Sequence, residues 1–144
     1  MVNVDNAPNI NQIARALGAE PGKADQDESK QKKWRPLHFA AQRGSLPIVK
    51  ALLSRGAPVD PREDDQWTPL LLAAQNGHFA IIQELLAHGA DADAKAIDGR
   101  TALFQAAQNG HLDVVKRLLE KKADPNATTD TGRTPLFQAA QNGH

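Results

Sequence analysis

No cysteine and no tyrosine occur among the 144 residues, and lysine plus arginine (17) equals aspartate plus glutamate (17). Without cysteine there is no disulfide framework, no zinc-thiolate site and no cysteine nucleophile. A cysteine-free chain also suits a reducing compartment, so the cytoplasm is the expected location. Zero net charge argues against duplex DNA or an anionic membrane as a whole-chain partner. No apolar run nears the roughly 18 residues of a membrane span. The start, Met1-Val2-Asn3-Val4-Asp5, lacks the basic head and apolar stretch of a secretion signal. These absences leave a soluble protein with the length of one ordinary domain.

What is present is a repeat. Thr101-Ala-Leu-Phe-Gln-Ala-Ala-Gln-Asn-Gly-His111 recurs as Thr134-Pro-Leu-Phe-Gln-Ala-Ala-Gln-Asn-Gly-His144. Earlier copies begin at Thr68 (Thr-Pro-Leu-Leu-Leu-Ala-Ala-Gln-Asn-Gly-His) and at Arg35 (Arg-Pro-Leu-His-Phe-Ala-Ala-Gln-Arg-Gly-Ser). Starts at 35, 68, 101 and 134 give a fixed period of 33 residues, the mark of a stacked repeat architecture.

Each unit reads as two short helices. Thr68 and Thr101 stand where an N-cap hydroxyl accepts the orphan amides of a starting helix. Pro36, Pro69 and Pro135 follow at the first helical position, where a missing N–H does no harm. Gly44, Gly77 and Gly110 suit a left-handed helix exit. A second helix then shows apolar residues at helical spacing: Ile48, Val49, Leu52, Leu53; Ile81, Ile82, Leu85, Leu86; Val114, Val115, Leu118, Leu119. Gly56 and Gly89 close it in the first two units, while Lys122 holds that place in the third. Turn-rich stretches such as Asp91-Ala-Asp93-Ala lead to the next unit. Neither helix can hide its apolar face within one unit, so stacking must build the core, with paired alanines allowing close approach.

At these residues the chain resembles the ankyrin-repeat family, over residues 34 to 144. Thr-Pro-Leu-x-x-Ala-Ala-x-x-Gly-His followed by Leu-Leu-x-x-Gly-Ala-Asp is a specific signature at this spacing. The near-identity of the copies is similar to that in fungal multi-ankyrin proteins. The resemblance implies an all-α repeat solenoid of stacked helix-turn-helix units, whose linking loops project as β-turn fingers beside a concave face. It implies a protein-binding scaffold without catalysis. The units run 34–66, 67–99 and 100–132, with a partial fourth at 133–144. There are departures: of the family's usual histidines only His38 is kept, with Leu71, Phe104 and Phe137 at its other places. Arg35 replaces the capping Thr, Ala102 the Pro, and Lys33 and Gln66 the turn glycine present as Gly99 and Gly132.

Chemistry finds little support. His78, His111 and His144 share one repeat position. Equivalent positions in stacked helices lie about 8–10 Å apart, whereas zinc needs nitrogens at about 2.0–2.1 Å, so no metal site follows. Gly18-Ala-Glu-Pro-Gly22-Lys23-Ala24 is one residue short of a phosphate-binding loop and lacks its hydroxyl. Asp91-Ala-Asp93 with Asp98 approaches a calcium loop, but Ala96 and Ala102 stand at its required Gly and Glu. No HExxH motif or Ser/His/Asp arrangement is present, so neither catalytic residues nor a cofactor are expected.

A binding surface should lie where the copies differ. The position before the cap reads Trp34, Trp67, Arg100, Arg133, and Trp and Arg are hot-spot types. The finger tips differ too, giving Asp64 and Asp65, Ile97 and Asp98, and Asp130 and Thr131 as candidates. By resemblance, these positions and the pair after Ala-Ala face the concave side: Gln42 and Arg43, Gln75 and Asn76, Gln108 and Asn109. The bland alternatives are that the tryptophans cover apolar neighbours, that the Gln-Asn pairs are inherited from duplication, and that the acidic tips are solvated turns. The second unit carries one basic against four acidic residues, an acidic patch between mildly basic units.

Residues 1–33 carry no repeat signature. Ile10, Ile13, Ala14 and Leu17 form one helical face between Asn9 and Gly18, and Glu20 to Lys33 reads as a charged linker. Lys30-Gln-Lys32-Lys33 faintly resembles a nuclear-import cluster, making the nucleus the alternative location. The fourth copy stops at Asn142-Gly143-His144, where a second helix should begin. Fraying is therefore expected from about Thr134, and the chain reads as a cut through a longer array. The expected function is a non-catalytic scaffold gripping a partner protein, with no nucleic acid or membrane partner. The alternative is a substrate-recruiting piece of a larger enzyme or sensor. The chain is expected to be a monomer, with self-association through the incomplete fourth unit as a second state.

Overall fold

The computed structural model describes residues 34–144, so the helix read at Asn9–Gly18 and the charged segment after it lie outside the described residues. Seven helices follow in pairs: α1 (Pro36–Arg43) and α2 (Leu46–Ser54), α3 (Pro69–Asn76) and α4 (Phe79–Ala87), α5 (Ala102–Gln108) and α6 (Leu112–Glu120), then α7 (Pro135–Gln141). The caps explain their starts. Thr68, Thr101 and Thr134 each accept a bond from the amide three residues on, at 3.3, 3.2 and 3.1 Å. At α5 the hydroxyl suffices without the proline. At α1 the arginine cannot cap, and a different device appears: the Arg35 N–H donates to His38 Nδ1 at 2.9 Å. Gly44 and Gly77 end α1 and α3 in the left-handed conformation.

The first helices α1, α3, α5 and α7 stack in one layer, and α2, α4 and α6 form a second layer behind them. This is the all-α solenoid that the resemblance implied. Ala40, Ala41, Ala73, Ala74, Ala106 and Ala107 are buried between first helices, while Val49, Leu52, Leu53, Ile81, Ile82, Leu85, Val114 and Leu118 fill the space behind. Fully burying a leucine or isoleucine contributes about 1.5–3 kcal/mol, so a run of such residues across unit boundaries makes each unit depend on its neighbours.

The ladder of burial breaks at one end. Phe79 and Leu86 are half-buried in α4, but their equivalents Leu112 and Leu119 in α6 are exposed. Where the sequence pointed to fraying from Thr134, the structure has α7 as a complete helix docked on α5. The Thr134 cap and the burial of Pro135 and Gln138 hold it, whereas Leu136 is 78% exposed.

Candidate functional site

Between the helix pairs the chain makes three short fingers, each closed by a β-turn. Gln66, Gly99 and Gly132 donate their N–H to Glu63, Ala96 and Thr129 at 2.9, 2.9 and 2.8 Å. The N–H of Glu63, Ala96 and Thr129 in turn reaches the carbonyl of Trp67, Arg100 and Arg133 at 3.4, 2.9 and 2.9 Å. Adjacent fingers are tied backbone to backbone, Ile97 N–H to Asp65 carbonyl at 2.8 Å and Asp130 N–H to Asp98 carbonyl at 2.9 Å.

The last N–H of every finger also finds a side chain of its own finger, and a different residue serves each time. Trp67 N–H donates to Glu63 Oε1 at 3.0 Å, Arg100 N–H to Asp98 Oδ1 at 3.1 Å, and Arg133 N–H to Thr129 Oγ1 at 3.2 Å. Glu63 is buried in this role, which its place in an acidic tip did not reveal. Asp98 is a positioning group as well as a surface one, because its other oxygen pairs with Arg100 Nε at 3.1 Å.

The tryptophans at the finger bases rest on apolar neighbours. Trp34 is half-buried, with its ring 5.0 Å from Phe39 and 5.8 Å from His38. Trp67 is half-buried at the edge of the core. At the next two bases the arginines lie over phenyl rings, Arg100 at 5.8 Å from the Phe104 centroid and Arg133 at 6.0 Å from Phe137. Such contacts hold a guanidinium in place while leaving its edge for partners.

The Gln-Asn pairs divide their labour. Asn76, Asn109 and Asn142 extend their amide nitrogens to the carbonyls of Gln42, Gln75 and Gln108 in the preceding unit, at 3.3, 2.8 and 2.9 Å. His78 and His111 use Nε2 on the same Gln42 and Gln75 carbonyls, at 3.0 and 3.1 Å. The asparagines and histidines therefore stitch units together. Identity of helix-start histidines across copies follows from this shared job, and among the described residues no group of His, Asp or Glu could hold a metal ion. Gln42, Arg43, Asn76 and Asn109 are exposed, and Gln75 and Gln108 are half-buried.

Six of the candidates, Asp98, Arg100, Gln108, Asp130, Thr131 and Arg133, line one notch of about 120 Å³ between the last two fingers. Phe104, Thr129 and Gln138 complete it, and none of these three was among the candidate binding residues. Trp34, Gln42, Arg43, Asp64 and Asp65 lie on the first unit, and Trp67, Gln75 and Asn76 on the second, with Ile97 exposed at the second finger's tip. A second, larger space of about 640 Å³ opens at the end of the stack, where Leu103, Ala106, Leu112, Val115, Leu136 and Ala139 face it.

Two titratable groups are shifted by burial, the buried His38 and the half-buried Asp60. His38 is lowered below its usual value by burial, and its Nε2 faces the Trp67 carbonyl at 3.0 Å. With Nδ1 accepting from Arg35, the neutral ring carrying its proton on Nε2 satisfies both partners. Asp60 is raised by burial despite accepting the Asp91 N–H at 2.9 Å. The same bond recurs one unit on, from Asp124 N–H to Asp93 at 2.8 Å, so these aspartates tie successive turns together.

Among the described residues no helix is long and apolar enough to cross a membrane. A family model described as ankyrin repeats (3 copies) matches residues 2–96 and 85–144, taking in the leading segment as well as the regular units. No curated protein matches the chain. With helix pairs stacked at a 33-residue period, fingers tied edge to edge and a family match across most of the sequence, the chain belongs to the ankyrin-repeat family.

Proposed function

We propose that the array is a non-catalytic scaffold that grips a partner protein along the finger bases and first helices. The fold generally mediates protein–protein interaction, and the observation that carries the reading here is the row Trp34, Trp67, Arg100, Arg133. These hot-spot types stand once per unit along one edge, each pre-positioned by an aromatic neighbour or the core. The partner is a protein, met in the cytoplasm, and the nucleus is the alternative location.

The reading is tested with Trp67→Ala combined with Arg100→Ala. The double variant should keep the circular dichroism spectrum and lose at least about 2 kcal/mol of partner affinity. Unchanged capture by the folded variant would remove these residues from the site. A second reading, self-association, is favoured by the open apolar space beside α6 and α7, where Leu112 is 64% exposed.

A further inference from the structure

We propose that the notch between the last two fingers receives a carboxylate side chain, so that the partner presents an acidic segment there. The inference rests on the concave-edge reading and names the chemistry of its partner. In the second finger Arg100 is already matched by Asp98 at 3.1 Å. One repeat later Thr131 stands where Asp98 stood, and among the described residues no carboxylate pairs with Arg133. Its only polar side-chain contact among the described residues is a long bond from a terminal nitrogen to Gln138 Oε1, at 3.4 Å. A guanidinium has five donors in a planar fork suited to two carboxylate oxygens, and most of this fork is open.

The notch matches that ligand in size and order. About 120 Å³ is roughly four water volumes at about 30 Å³ each, room for a carboxylate and its methylene. Phe137 beneath Arg133 and Phe104 beneath Arg100 fix both guanidinium groups before any partner arrives, which lowers the ordering cost of binding. Thr129 and Thr131 share a hydroxyl contact at 3.1 Å on the same wall and can supply a further donor. Of the two acidic residues lining the notch, Asp98 is committed to Arg100, and Asp130 lies beside the Gly99 backbone. Their charge opposes the ligand, so neutralising Asp130 strengthens binding.

The test uses the full 144-residue chain and an acetylated, amidated Gly-Glu-Gly-Glu-Gly peptide, followed through the Arg100 and Arg133 side-chain N–H resonances. The glutamate peptide should move the Arg133 signal, while the glutamine and lysine versions leave it in place. Thr131→Asp supplies an internal carboxylate and should weaken the response about tenfold, and Asp130→Asn should strengthen it. Arg133→Gln keeps a polar side chain beside Gln138 without charge and should abolish the peptide-induced shift at Arg100, which guards against misfolding of the aspartate variant. Equal shifts with the glutamine peptide, a stronger response to lysine, or indifference to Thr131→Asp would each overturn the proposal. Such failure leaves partner capture by the Trp67 and Arg100 edge untouched, so the two readings fail separately.

Discussion

Lys122 and Gln66 hold φ at +64° and +65°, the left-handed region where a side chain crowds its own backbone. The neighbouring copies place Gly56, Gly89, Gly99 and Gly132 at these turns. The repeat geometry thus overrides the residue. Lys122→Gly should raise stability by about 0.5–1 kcal/mol in urea unfolding, the relief of strain exceeding the added backbone entropy of the unfolded chain. His38 gives a pH-dependent counterpart. Burial lowers its pKa below the ordinary 6.5, so the unfolded chain binds more protons as the pH falls beneath that value. Stability is therefore full above about 6.5 and declines on acidification until the folded group itself protonates. Thermal melts at neutral and mildly acidic pH should differ less in His38→Leu than in the parent chain. Leucine is tolerable because Leu71 fills the same register in the next unit.

At the scale of elements, the seam between units is made as much by polar groups as by the aliphatic core. The ring of His78 lies over Gly44 so closely that a Cβ there would sit 2.6 Å from its Cε1, and His111 and His144 repeat this over Gly77 and Gly110. Gly44 therefore answers two demands, a φ of +78° and contact with the next unit's ring. Gly56, at φ +84° and with open space where a Cβ would stand, answers only the first. Gly44→Ala should cost more than Gly56→Ala, by at least about 1 kcal/mol, because alanine cannot enter without displacing the ring. Pairing it with His78→Ala should recover part of that difference. A double-mutant cycle in urea measures the coupling, and strict additivity would show that the ring simply moves aside.

At the scale of the array, one apolar face of the described residues lies uncovered. Inside the array, each apolar face meets the next unit. Beside α6 and α7 the same kind of face is bare, with Leu112 64% and Leu136 78% exposed. Exposed apolar surface of this kind favours association. Sedimentation at rising protein concentration should show self-association, and Leu136→Lys should shift the chain towards monomer. A weight-average mass independent of concentration would argue that the face stays bare. The finger edge differs in character, since Trp34, Arg100 and Arg133 are each braced by an aromatic ring.

The sequence by itself determined the repeat, its 33-residue register and the helix pairs. It could do so because packing between like units demands like residues at like places, and the period makes that demand visible. Tertiary structure decided which side chains of the edge remain available. Asn76 and Asn109 read in the sequence as surface residues repeated by duplication, yet their amides reach carbonyls 34 positions back. Glu63, Asp98 and Thr129 share one task with no resemblance in type, because any oxygen at the right distance satisfies the same backbone N–H. The notch around Arg133 is legible only in three dimensions. It depends on a missing carboxylate at Thr131, on a phenyl ring below and on a finger from the preceding unit beside it.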